Sequence, residues 1–264
     1  MLLRVLALSA ALLAGTVAPA DASTRTVSVD GAVAAPASYT ASQLKALGGD
    51  LNTLVAAAAP VLPPGKNTAL RVTVTVTGSA HRAVTFALAE LDPAFGNHPA
   101  VLTTDHGIDL VVPGDRDRSR SVRDVRRVRV AVSAATTAGR ALRITTGRRS
   151  VTLPPALLAH LPSRTVTASF ASGTGQQTHT ETGPSLALVL RIAGVVPRAD
   201  TAVVAVGSDG YGAAVTLAEE RTGGRPLLLS TVEDGVPLDL PRLVPLGDVK
   251  GGRYVSGVTA LDVR

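Results

Sequence analysis

The sequence contains no cysteine and no tryptophan, and aromatic residues fill only 2% of its 264 positions. Without cysteine there is no disulfide, no thiolate nucleophile, no Cys-ligated zinc and no iron–sulfur cluster. Stability has to come from packing alone. The shortage of rings leaves almost nothing to stack on bases. The net charge of +6, carried by 23 Arg against 3 Lys, is therefore read with the surplus of Ala, Val, Gly and Pro as the coding bias of a GC-rich genome. No nucleic-acid partner is expected. After the first 22 residues no stretch approaches 18 unbroken apolar residues, so no transmembrane span is expected in the remainder.

Metal and hydrolase signals are equally thin. His81, His98, His106, His160 and His179 are scattered with no HxH or HxxxH spacing, so no metal site is expected. Asp105, Asp109, Asp115 and Asp117 lack the register of a calcium loop and read as solvated turns. Ser185 and Ser208 sit in no G-x-S-x-G elbow.

What is present begins with MLLRVLALSAALLAGTVAPADA, residues 1–22. An early Arg4, an apolar run and the small-x-small site Ala20-Asp21-Ala22 have the pattern of a secretory signal peptide. Retention as an N-terminal anchor is the alternative. The expected location is secreted, periplasmic or cell envelope. Hydrophobic content of 45% is enough to build cores.

The rest of the chain repeats itself. GSAHRAVTFALAE (Gly78–Glu90) and GSDGYGAAVTLAE (Gly207–Glu219) align without a gap. PAVLTTDHGIDL (Pro99–Leu110) parallels PLLLSTVEDGVPL (Pro226–Leu238), and Val111–Val130 parallels Leu243–Val263 with one inserted residue. Each half opens as strand, Gly turn and short helix, at Thr26–Leu47 and Ala141–Leu161. Ordered correspondences of this kind indicate an internal duplication. We expect a first, shortened unit over 23–132, a small-residue linker over 133–139 and a second unit over 140–264.

Strands dominate the local reading. RVTVTVT (Arg71–Thr77) alternates strictly, and Val166–Ala171, Ala202–Val206 and Leu227–Leu229 are further strands. Helices are few: Ala41–Leu47, part of Leu51–Ala59, Pro155–Leu161, and Ser185–Ala193, where Ser185 follows Gly-Pro and Gly194 ends the helix. The fold class is α+β and β-rich. The first unit is expected to lack the Ser185–Ala193 helix, with Arg71–Thr77 running straight into Gly78. Along Arg116–Arg129, alternation should turn Arg127 and Arg129 outward and Val128 and Val130 inward.

The ordered series TGPSLALVLRIAGV, VGSDGYGAAVTLAE, LLLSTVEDGVPL and LVPLGD…GGRYVSGVTALDV resembles the sulfite-oxidase-type molybdopterin-binding oxidoreductase domain. The first unit's LAELDPAFGNHPAVLTTDHGIDLVVPGDRDRSRSVRDVRRVRV resembles the C-terminal half of that domain. The resemblance implies a sulfite-oxidase-like fold in two tandem copies. It also implies a molybdenum–pterin cofactor held by a cysteine thiolate, with basic residues clasping the pterin phosphate. By the family's spacing the thiolate belongs near ASFASGTG (Ala168–Gly175), where this chain has only small residues and Phe170. A soft thiolate is what holds and tunes such a metal.

The phosphate role carries over to Arg253 in GGRYV and Arg120 in RSRSV, against the plainer reading of exposed strand-start arginines. Asp209 and Tyr211, in Asp209-Gly210-Tyr211, are candidates for a functional turn against a plain hairpin. No catalytic residue and no metal ligand is named. The expected function is a non-catalytic binding or structural envelope module with no cofactor, whose partner is an envelope protein or a small anionic ligand. The alternative is an active molybdopterin-dependent oxidoreductase with a non-cysteine ligand, Ser169 or Ser172 by location. An adhesion or docking domain is a third reading.

Overall fold

The computed structural model describes residues 25–264, and segment 1–22, where the sequence leads us to expect a signal peptide, lies outside the described residues. The first half comprises β1 (Thr26–Gly31), β2 (Ala37–Thr40), α1 (Ala41–Ala46), α2 (Leu51–Ala57), β3 (Val72–Thr77), β4 (Ala83–Ala87), α3 (Leu88–Leu91), β5 (Val101–Thr103), β6 (Asp109–Val111) and β7 (Arg127–Val132). The second comprises β8 (Leu142–Thr146), β9 (Arg149–Leu153), α4 (Pro155–Ala159), β10 (Arg164–Ser172), β11 (Gly175–Gly183), α5 (Leu186–Ile192), β12 (Ala202–Gly207), β13 (Gly212–Thr216), α6 (Leu217–Arg221), β14 (Leu227–Glu233), β15 (Val236–Pro245) and β16 (Val258–Val263). The fold is α+β and strand-dominated. Among the described residues, no helix is long and apolar enough to cross a membrane.

Each half builds a five-stranded sheet, ordered β2-β1-β7-β3-β4 and β9-β8-β16-β12-β13. The two match in sense as well as order. β1 with β7 and β8 with β16 are the parallel pairs, and every other neighbouring pair is antiparallel. A second layer holds the hairpins β5–β6 and β14–β15, each tied to a helix N-cap in the same way. Asp50, the cap of α2, bridges Val101, and Ser185, the cap of α5, bridges Leu228. Asp50 Oδ2 accepts from Thr53 N at 2.8 Å, and Ser185 Oγ from Leu188 N at 3.2 Å, satisfying first-turn N–H groups that have no partner inside the helix.

This pairing corrects one expectation. The first half does not lack the helix before its Gly-Ser strand, because α2 stands in the place of α5. What it lacks is the long β10–β11 hairpin. Arg71–Thr77 is the counterpart of β12, not of β10, and pattern alone could not tell two alternating strands apart. Val128 and Val130 are buried while Arg127 and Arg129 point out, as the alternation requires.

The edge strands β4 and β13 lie against each other where the halves meet. Small residues make that approach feasible. AVVAVG and GAAVT are buried along their whole length, and Ala87, Val204, Val206, Ala214 and Ala260 form a cluster of their own between the two main cores. Leu70 and Ala89 of the first half are embedded in the second half's core. Segment 133–139 is strapped to the second sheet, with Ser133 Oγ donating to Asp262 Oδ2 at 2.7 Å and Ala138 N to Thr259 Oγ1 at 3.1 Å.

The glycine that opens each repeated motif is required by close backbone approach. A Cβ on Gly207 would stand 2.5 Å from Ser256 O, and one on Gly78 would overlap Arg123 O. Gly207→Ala is accordingly expected to lose about 2 kcal/mol of stability through forced backbone shifts, read from the urea midpoint. A midpoint equal to wild type would contradict the packing described.

Candidate functional site

The Glu that closes each repeated motif faces inward and meets an arginine. Glu219 and Arg253 are both fully buried. Arg253 Nη1 donates to Glu219 Oε2 at 2.8 Å, and its Nε and Nη2 fork onto Asp248 at 2.8 and 2.5 Å. Glu219 Oε1 also accepts from Thr216 N at 2.9 Å, so both its oxygens are engaged. In the first half, Arg120 Nη1 donates to Glu90 Oε1 at 2.5 Å, and Nε and Nη2 fork onto Asp115 at 2.9 and 2.5 Å. Arg120 also lies 5.3 Å from the Phe86 ring centroid. A second basic side chain approaches each aspartate. Arg225 Nη1 is 4.0 Å from Asp248, and His98 Nε2 is 3.1 Å from Asp115, off the line of a hydrogen bond.

The halves differ electrostatically. Burial raises the Asp248 carboxyl above its usual range even beside Arg253. Burial pushes Asp115 the same way, but the forked hydrogen bonds and charge of Arg120 outweigh it and hold the carboxyl low. Glu90 is pushed up to about 7, first by burial and then by the negative charge of Glu219, with Arg120 and Arg253 pulling the other way. Its Oε2 is buried without a hydrogen-bond partner among the described residues. The two ion clusters therefore lie close enough to act on each other.

These clusters overturn both sequence readings of Arg253 and Arg120. Neither is an exposed strand-start residue, and neither presents its fork to a phosphate, because each guanidinium is turned onto carboxylates inside the protein. Asp115 is likewise no solvated turn. Charge cannot be seen pairing in a sequence when the partners, Glu219 and Glu90, are 34 and 30 residues away.

The turn at Asp209-Gly210-Tyr211 joins β12 to β13. Asp209 Oδ1 accepts from Tyr211 N at 2.9 Å, Gly210 takes φ +80°, and the Tyr211 hydroxyl donates to Gly252 O. The corresponding first-half turn puts Ala80 and His81 at φ +52° and +55°. Arg82, aligned with Tyr211, donates from Nη2 to Ser119 O, the counterpart of Gly252, and from Nε to Ser121 O at 2.9 Å. Tyrosine and arginine thus do the same anchoring in the two copies.

Beyond those anchors the sites diverge. Arg71 closes over the second-half turn, donating to Gly210 O and, at 2.8 Å, to Ala135 O. Burial raises the Tyr211 hydroxyl pKa there. The matching first-half junction stays open as a cleft of about 360 Å³, with Arg82, Arg198 and Arg221 exposed on its walls. Arg82 and Ser119 come from the first half, Pro197–Asp200 and Arg221 from the second. Arg198 Nε is 3.2 Å from Asp200 Oδ1, and Arg221 has no ion-pair partner among the described residues. The sequence reading missed these three arginines because they are far apart in the chain and in no motif.

The residues near Ala168–Gly175 do not fit a molybdenum centre. No thiolate exists in the chain. Ser169 and Ser172 are exposed on β10, where Ser169 Oγ is 3.0 Å from Thr178 Oγ1 and Ser172 Oγ is 3.0 Å from Thr174 Oγ1. Neither alcohol is a soft donor.

No protein-family profile and no curated protein matches the chain. Among solved structures, the sulfane dehydrogenase SoxCD from Paracoccus pantotrophus is similar at 18% identity and a TM-score of 0.40. The match covers 50% of this chain and 40% of that one.

Proposed function

We propose that the chain is an exported, non-catalytic envelope module, a tandem of two sulfite-oxidase-like units that holds a small anion where the units meet. The observation that carries this reading is the asymmetry of the two junctions. One is closed by Tyr211 and Arg71, while the other is open and lined by Arg82, Arg198 and Arg221. Guanidinium groups converging from both halves suit a phosphate or carboxylate, which they bind through forked, charge-assisted hydrogen bonds. The matching strand order of the two sheets supports the tandem. The commitment of Arg120 and Arg253 to buried carboxylates supports a non-catalytic role.

Calorimetric titration of the full chain with inorganic phosphate and pyrophosphate at low ionic strength tests the site. Saturable binding is expected, weakened about tenfold by Arg198→Gln and again by Arg221→Gln. Both side chains are exposed, so the variants should fold. Absence of saturable heat, or undiminished affinity in the double variant, would end the anion assignment. Stoichiometric molybdenum with sulfite or sulfoxide turnover, in protein purified from its native exporter, would end the non-catalytic one.

A further inference from the structure

Only six residues of the chain are Phe or Tyr, and four of them gather at one place. Phe95, Phe170, Tyr211 and Tyr254 all meet the 3₁₀ turn Gly251–Arg253. Gly251 and Gly252 let two rings lie directly on the backbone. A Cβ on Gly251 would stand 2.5 Å from Phe170 Cδ2, and one on Gly252 would overlap the Phe95 ring. Phe170 is tilted against Tyr254 with centroids 4.3 Å apart. Phe86 is fully buried, whereas Phe95 and Phe170 pack against the cores with only part of their surface and leave the rest exposed.

Two of the rings, Phe95 and Phe170, line a cavity of about 470 Å³ together with Lys250 and the tip of the β10–β11 hairpin. That hairpin is the element the first half lacks, and it is what brings Phe170 to the site. The volume falls in the range of small-molecule pockets. Lys250, exposed at the edge, is the single charged residue of the lining among the described residues.

We propose that this slot binds a small planar aromatic ring bearing one carboxylate, with the ring against Phe95 and Phe170 and the anionic group on Lys250. The site is separate from the arginine cleft and does not depend on it. Aromatic pairing supplies the selectivity for a flat ring, since offset or edge contacts add to area burial. One exposed ammonium supplies the preference for a single negative charge.

The test is a heteronuclear NMR titration of the full chain with 2-naphthoate, 2-naphthylmethanol and cyclohexanecarboxylate. Saturable shifts at Gly173, Lys250, Gly251 and Gly252 are expected with 2-naphthoate, and at least tenfold weaker binding with each of the other two. Lys250→Glu should abolish the preference for 2-naphthoate over the alcohol, and Phe170→Leu should weaken both. Lys250 is exposed, so its variant keeps the test decisive if Phe170→Leu does not fold. Shifts confined to Arg198 and Arg221 and displaced by phosphate would overturn the slot while leaving the cleft intact. No saturable shift, or equal affinity for cyclohexanecarboxylate, would overturn it outright.

Discussion

Replacing Arg253 by methionine is expected to lower stability by about 3–5 kcal/mol, the range for removing one member of a buried ion cluster. The loss comes from what stays behind. Asp248 and Glu219 would be left as neighbouring buried carboxylates with no forked cation between them, so one must take up a proton or admit water. Lysine at this position should recover only part of the loss, because a single ammonium cannot reproduce three directed N–H bonds. Replacing Arg253, Glu219 and Asp248 together by apolar residues of similar size should recover most of it, since a shape-matched apolar set needs no desolvated charge. Urea unfolding at neutral pH reads all three variants. Arg127→Met serves as control, because its pairing with Asp30 is exposed and contributes little. If Arg253→Met unfolded at the wild-type midpoint, the guanidinium would have to face solvent, and the site would revert to an available anion clasp.

The sequence conveyed elements better than partners. Strict alternation in Arg71–Thr77 gave β3, and Ser185 sits at a real N-cap because a side-chain oxygen three residues ahead of a free N–H is a local arrangement. The repeated Gly-Ser and Leu-Ala-Glu were visible as a pattern, and their physical causes were not. One end is a backbone approach that excludes Cβ, and the other is a carboxylate buried against an arginine. Both causes are non-local. For the same reason Tyr211 and Arg82 looked unlike each other in sequence, although each reaches the same carbonyl position in its own half. A basic protein invites the assumption that arginines are solvated, and that assumption hid Arg120 and Arg253. It also drew attention away from Arg198 and Arg221, which are exposed and converge on one cleft.

Glu90 gives the chain an unusual dependence on pH. Glu219 has both oxygens satisfied, one by Thr216 N and one by Arg253. Glu90 has no such cap. Ala87 stands where Thr216 does, α3 has no side-chain cap, and Oε2 is left without a partner among the described residues. A neutral carboxyl tolerates that environment better than an anion does, which is why burial and Glu219 together push Glu90 from 4.5 up to about 7. A carboxyl raised on folding binds its proton more tightly in the native state. Its contribution is therefore fully present below about pH 4.5 and lost as pH rises through about 7. The expected change is about 3 kcal/mol across that window. Glu90→Gln mimics the protonated form and can still accept from Arg120. Its stability relative to wild type should rise by that amount between pH 5 and pH 8, measured by urea unfolding at each pH. Parallel profiles for the two proteins would mean that Glu90 keeps an ordinary carboxylate pKa and that the two ion clusters do not communicate across the junction.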